Sequence, residues 1–160
     1  MTGKKIFFSL IFILLLITLD QGSKSFLIAY LKTQSNYMIE VLPFFDIVYA
    51  WNYGISFGLF SNYHQYSNTA FLILNSLIIT YICYMTVTTK SCISQIGLIL
   101  IIGGALGNLI DRIFRKAVFD FLYFYYENFA FPAFNLADAF ITIGACVFIY
   151  DYLFLQKKNT

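Results

Sequence analysis

Uncharged apolar runs alternate with short clusters of charge along the 160-residue chain, and the runs have the lengths of membrane-crossing helices. Residues 6–19 read IFFSLIFILLLITL between Lys4–Lys5 and Asp20. Those fourteen residues rise only about 21 Å as a helix, short of the roughly 30 Å hydrocarbon core. The span therefore borrows residues from both flanks, which puts Asp20 close to a membrane surface. The opening also has the look of a secretory signal, but no small-x-small cleavage site follows, so an uncleaved first helix is predicted. Residues 47–89 carry no charge, with Thr69–Val87 their continuous apolar part, and residues 91–110 are charge-free as well. A last run, Ala139–Tyr150, ends at Asp151 and then Lys157–Lys158. The pattern predicts one integral membrane domain over 1–160 with spans near 4–22, 69–88, 92–111 and 137–155.

An even number of spans leaves both termini on one side. The Lys pairs at the two chain ends place that side in the cytoplasm by the positive-inside rule, although the basic residues divide evenly between the faces overall. The acids do not divide evenly. Asp20, Glu40, Asp46, Asp111, Asp120, Glu127 and Asp138 fall at the far face, leaving Asp151 alone at the near one.

The two far-side connections carry structure of their own. Lys24 and Lys32 bracket SFLIAYL, an expected interfacial helix. Met38–Trp51 alternates loosely and is rich in Val, Ile, Phe and Tyr, which predicts strand. From Phe119 to Phe134, nine of sixteen residues are aromatic, a density suited to headgroup level. The expected fold is an all-α membrane protein: four transmembrane helices, with a small extracytoplasmic β-like segment and an interfacial helix between helices 1 and 2.

Composition agrees with lipid as the main solvent. Hydrophobic residues make up 60% and charged residues 11%, against roughly 45–50% and 25% in soluble domains, and mean hydropathy is +0.75. The net charge of +2 contains no basic run that could follow a row of phosphates, which argues against nucleic-acid binding. One histidine, His64, and scattered Cys83, Cys92 and Cys146 assemble no zinc set and no disulfide framework.

Carboxylates near a bilayer are costly and point to function. Asp20 and Lys24 are spaced i,i+4 and face each other on a continuing helix, as an ion pair ending the span or as one that also orients substrate. Asn108-Leu-Ile-Asp111-Arg112 closes the third span. Asn135-Leu-Ala-Asp138 opens the fourth, a pattern that also serves as a helix N-cap. Asp120 sits in the apolar extended run Ala117–Phe121, where a solvated acid has no purpose, and it can converge with Asp138. Two such carboxylates in a partly dry site share a proton, so one can activate water while the other protonates a scissile carbonyl, with no metal or cofactor. Asp111 competes with Asp120 for this role, but beside Arg112 it is better placed to support a helix end. A rival reading is a small ion or proton channel using Asp20, Asp111, Asp120 and Asp138 as a relay, yet the middle of every span is uncharged. Gly54-Ile55-Ser56-Phe57-Gly58 matches the nucleophile-elbow pattern without the α/β sheet it requires. The GxxxG spacing of Gly103 and Gly107 predicts close helix packing.

Five segments in order resemble the lipoprotein signal peptidase (signal peptidase II) family of bacterial plasma membranes: Asp20-Gln21-Gly22-Ser23-Lys24, Asn52–Gly58, Gly103–Arg112, Val118–Phe121 and Phe131–Asp138. Phe119 replaces the family's usual second valine, and Ser56 stands where alanine is commoner. The resemblance implies an aspartic endopeptidase that removes the signal peptide from diacylglyceryl-modified prolipoproteins by cutting before the lipidated cysteine. It implies Asp120 and Asp138 as the catalytic pair. Asn52, Gly54, Asn108, Arg112 and Asn135 then position substrate and dyad, with Asp20, Lys24 and Asp111 in support. Its expected partners are prolipoproteins and membrane lipids, and its expected form is a monomer with the dyad near the extracytoplasmic face.

Overall fold

The computed structural model describes residues 3–54 and 64–155, the side chains of 64–67 aside. The elements in order are α1 (Gly3–Leu31), β1 (Met38–Leu42), β2 (Phe45–Asn52), α2 (His64–Thr88), α3 (Cys92–Phe114), β3 (Val118–Tyr126), β4 (Phe129–Ala130) and α4 (Leu136–Tyr150). A π-helical turn, Asp151–Leu155, extends α4. Four helical stretches, Gly3–Leu31, Asn68–Thr88, Cys92–Phe114 and Leu136–Leu155, are long and apolar enough to cross a membrane.

The helices divide into a hub and its satellites. In its most apolar stretch α3 is 56% buried, against 11%, 6% and 11% for the other three. Apolar side chains such as Phe8, Leu14, Leu77, Tyr84 and Phe154 face outward, where only acyl chains would solvate them. Small residues let α3 approach its neighbours. A Cβ on Gly104 would lie 2.3 Å from the Ala137 carbonyl oxygen, and one on Gly97 would lie 2.7 Å from that of Gly144. Gly103 and Gly107 instead face α1, meeting Leu16 and Asp20, so the GxxxG pair packs helices as its spacing predicted.

The stretch between Lys24 and Lys32 is helical, but it continues α1 rather than forming a separate interfacial helix. Lys24 is fully buried, because it finds carboxylate partners inside the bundle and has no need to reach the headgroups. Asp151 likewise does not mark a water boundary. It is 2% exposed and accepts a hydrogen bond from the buried Ser94 hydroxyl on α3.

The strands form one antiparallel sheet in the order β1-β2-β3-β4. Strand alternation gives the sheet two different faces. On one, Trp51 lies opposite Phe119, and Phe119 and Phe121 bury against Leu31, Leu27 and Ile28 of α1. Phe119 touches both Tyr49 and Trp51, with ring centroids 5.1 and 5.2 Å away. On the other face Asn52 lies opposite Val118 and Ala50 opposite Asp120. A bulge between Ile47 and Ala50 gives β2 one residue more than β3 across the same stretch, and this brings Asn52 to the Asp120 face. Phe134 then bridges to Leu122, its carbonyl accepting the Leu122 N–H at 2.8 Å, which joins the entry of α4 to β3.

Candidate active site

The bridge at Phe134 puts Asn135 beside Asp120. Asn135 caps α4: its Oδ1 accepts the Asp138 N–H at 3.0 Å, and Asp138 Oδ2 accepts the Asn135 N–H at 3.2 Å. This is the reciprocal capping box. The cap also has a second use, because Asn135 Nδ2 donates to Asp120 Oδ1 at 2.6 Å. One asparagine therefore holds both acids while serving as the N-cap of α4.

Two more asparagines complete the cradle. Asn52 Nδ2 donates to Asp120 Oδ2 at 3.0 Å, and Asn108 Nδ2 donates to Asp138 Oδ1 at 2.8 Å. Each amide has its orientation fixed by an obligate donor on its oxygen. The Gly54 N–H fixes Asn52 at 2.8 Å, the Lys24 ammonium fixes Asn108 at 3.1 Å, and the Asp138 N–H fixes Asn135. All four carboxylate oxygens of Asp120 and Asp138 thus receive one N–H each, and their remaining lone pairs stay available.

Asp120 is 3% exposed. Burial, and after it the negative charge of Asp138, push its carboxyl up to about 6 against the opposing pull of the Asn135 and Asn52 hydrogen bonds and of Lys24. Adjacent carboxyls of unequal acidity are the arrangement in which one can act as acid and its partner as base. Arg112 lies within electrostatic range of Asp120, Asp111 and Asp138, and its guanidinium stands 4.5 Å from the centre of the Phe71 ring.

Beneath the pair lies a second tier of charge. Lys24 Nζ contacts Asp20 Oδ2 and Asp111 Oδ2, each at 2.9 Å, and all three side chains are fully buried. Arg115 pairs with Asp111 Oδ1 and donates to Gln21 Oε1 at 2.8 Å and Ser25 Oγ at 3.0 Å. Asp20 Oδ1 accepts the Ala137 N–H at 3.0 Å, and Asp111 Oδ2 accepts the Phe119 N–H at 3.2 Å. Two acids and two bases balance in charge while tying α1 and α3 to the start of α4 and to β3. Asp111 has both oxygens engaged in this tier.

The expected site residues Asp20, Lys24, Asn52, Gly54, Asn108, Asp111, Arg112, Asp120, Asn135 and Asp138 therefore gather at one end of the bundle. Ser56 lies outside the described residues, as does the side chain of His64. Sequence reasoning missed Arg115, whose i,i+4 spacing from Asp111 was a usable signal, and Gln21, which binds Asp20, Asp111 and the Gly107 carbonyl. It also missed Phe71, for which no local pattern speaks.

A family model described as signal peptidase (SPase) II matches residues 12–154. The chain is 50% identical over 145 residues to the lipoprotein signal peptidase of Rickettsia canadensis, covering 91% of this chain and 74% of the relative. It is 51% identical over 145 residues to that of Rickettsia felis, with the same coverage. Two solved structures of a bacterial membrane enzyme, obtained by the in meso method at 2.3 and 1.9 Å resolution, are each 29% identical to it. They superpose with TM-scores of 0.78 and 0.79, covering 97% and 93% of this chain and 92% and 94% of theirs. None of these matches supports the ion-channel reading. Four helices long and apolar enough to cross a membrane, with a pair of acids at one end of their bundle, and agreement with one family over nearly the whole sequence make this chain a member of the signal peptidase II family, a multi-pass inner-membrane protease.

Proposed function

We propose that Asp120 and Asp138 are the catalytic dyad of an aspartic endopeptidase that removes signal peptides from diacylglyceryl-modified prolipoproteins, cutting before the lipidated cysteine. The observation that carries this reading is the joint hold of Asn135 on both acids, its side-chain amide donating to Asp120 and its backbone N–H to Asp138, with Asp120 raised to about 6 by burial and by its partner's charge. Asp138 carries the negative charge and takes a proton from water as that water attacks the scissile carbonyl carbon. Asp120 gives its proton to the carbonyl oxygen, forming a gem-diol. Collapse returns a hydroxyl proton to Asp120, breaks the C–N bond and sends the Asp138 proton to the leaving amine. Asn52, Asn108 and Asn135 hold the acids, and Arg112 faces the carbonyl.

The buried tier of Asp20, Lys24, Asp111 and Arg115 keeps these donors in register. Apolar helix faces open to lipid suit a substrate anchored by acyl chains, which fixes the depth of the scissile bond and replaces a three-dimensional search. The Lys pairs at both chain ends favour cytoplasmic termini, hence a dyad near the extracytoplasmic face, in a protease acting as a monomer. The test is cleavage of a diacylglyceryl-modified precursor by the purified protein in detergent. Asp120→Asn and Asp138→Asn should each lower the rate by about a hundredfold to ten-thousandfold, the range of a lost acid or base. Cleavage at the wild-type rate by either variant overturns the assignment.

A further inference from the structure

We propose that Phe71 on α2 is a positioning residue for this reaction: its ring carries the Arg112 guanidinium and seats the turn at Gly54, so that Arg112 keeps an N–H edge free for a substrate carbonyl. The inference rests on the reading of Asp120 and Asp138 given above.

Arg112 is 6% exposed and lies among three carboxylates, yet among the described residues it forms no ion pair, and its Nη1 has no hydrogen-bond partner. Arg115, three residues on, behaves in the opposite way and binds Asp111, Gln21 and Ser25. The difference lies in what holds each cation. A carboxylate engages the N–H edge of a guanidinium, whereas an aromatic ring attracts it through the ring face and leaves that edge available. With Cζ 4.5 Å from the ring centre, Phe71 does the latter. The neighbourhood is braced by Asn68, one turn earlier on α2, whose Nδ2 donates to the Arg112 carbonyl at 3.2 Å.

The same ring fixes a second part of the site. Gly54 has φ +82°, and a Cβ there would lie 2.3 Å from Phe71 Cε2, so the ring rests directly on the glycine backbone. The Gly54 N–H locks the amide of Asn52, and Asn52 in turn donates to Asp120. One aromatic side chain thereby orients a donor to the dyad and a cation beside it, through two different strands of contact.

The experiment replaces Phe71 with progressively fluorinated phenylalanines in the full chain. These withdraw density from the ring face at nearly constant shape. The readouts are kcat and KM on a diacylglyceryl-modified precursor in detergent, together with the thermal midpoint. The expected result is a stepwise fall in kcat reaching about 5- to 30-fold, the range of a desolvated cation–π contact, with little change in midpoint. Phe71→Leu should fall at least as far. A flat kcat across the series overturns the proposal, as does a fall that only follows loss of folded protein. Asp120→Asn in the same assay separates the two readings: its inactivity retains the dyad whatever the series does, and its activity removes the dyad itself.

Discussion

Replacing Asp120 by asparagine should change the stability of this protein in opposite directions at the two ends of the pH scale. The carboxyl goes from 3.8 in the unfolded chain to about 6 in the fold, and each pH unit of displacement corresponds to 1.36 kcal/mol, so the difference amounts to about 3 kcal/mol. A raised acid favours the protonated form of the folded state. Below pH 3.8 both states hold the proton and nothing is lost. Between 3.8 and about 6 the unfolded chain ionises first, and above about 6 the full 3 kcal/mol works against the fold.

Asparagine at position 120 cannot ionise, so this loss vanishes in the variant. Its own amide must, however, point a donor at either Asn52 or Asn135, both of which already donate; that mismatch costs about 1 kcal/mol at every pH. The variant should therefore melt a few degrees below wild type near pH 3. At pH 8 it should melt above wild type, by about 4–8 °C for the net 2 kcal/mol at 2–4 °C per kcal/mol. Thermal melts of both proteins in one detergent, buffered across that range, provide the measurement. A midpoint difference that is constant with pH refutes the reasoning, because it would mean that Asp120 titrates in the fold as it does in the open chain.

Other perturbations test the supporting architecture. Lys24→Met leaves Asp20 and Asp111 buried without their shared cation, and should cost about 3–5 kcal/mol, read as a lowered midpoint; adding Asp20→Asn should recover part of it. Asn135→Ser retains an N-cap oxygen for α4 but removes the amide donor to Asp120. Stability should fall by about 1–3 kcal/mol for the buried oxygen left without a donor, while cleavage falls about 10- to 150-fold, the worth of a hydrogen bond to a charged group. Gly104→Ala drives a methyl against the Ala137 carbonyl and should destabilise by about 1–3 kcal/mol, visible in the same melts without any change in pH dependence.

Much of this molecule could be read from its sequence, for reasons that differ by element. Span positions follow from where charges are absent, and the Asp20–Lys24 contact from one helical turn. The extended backbone near Asp120 is legible in the apolar run Ala117–Phe121, with Phe119 and Phe121 buried on the aromatic side. The pairing of Asn135 with Asp120, fifteen residues apart along the chain, was less accessible, since it depends on the Phe134 bridge to β3. Lys24 illustrates why local rules misjudge a continuous helix. A lysine near a membrane surface ordinarily turns to the headgroups, and Asp111 and Asn108 arriving from α3 beside Asp20 make burial preferable. Phe71 lay beyond reach altogether, because nothing distinguishes an aromatic ring on a lipid-facing helix from its neighbours until Arg112 and Gly54 arrive from elsewhere.

The extra residue in β2 has a consequence for which length changes the protein can tolerate. The pairs up to Ile47 and those from Ala50 onward belong to two registers one residue apart, with the surplus residue taken up between them. Deleting one position at the bulge would equalise the two strands and leave Ala50 opposite Asp120 and Asn52 opposite Val118, whereas inserting one would have to widen the bulge to keep those pairs. The hairpin tip between Leu42 and Phe45 lies outside this frame, and evolution or an engineer could lengthen it without touching the chemistry.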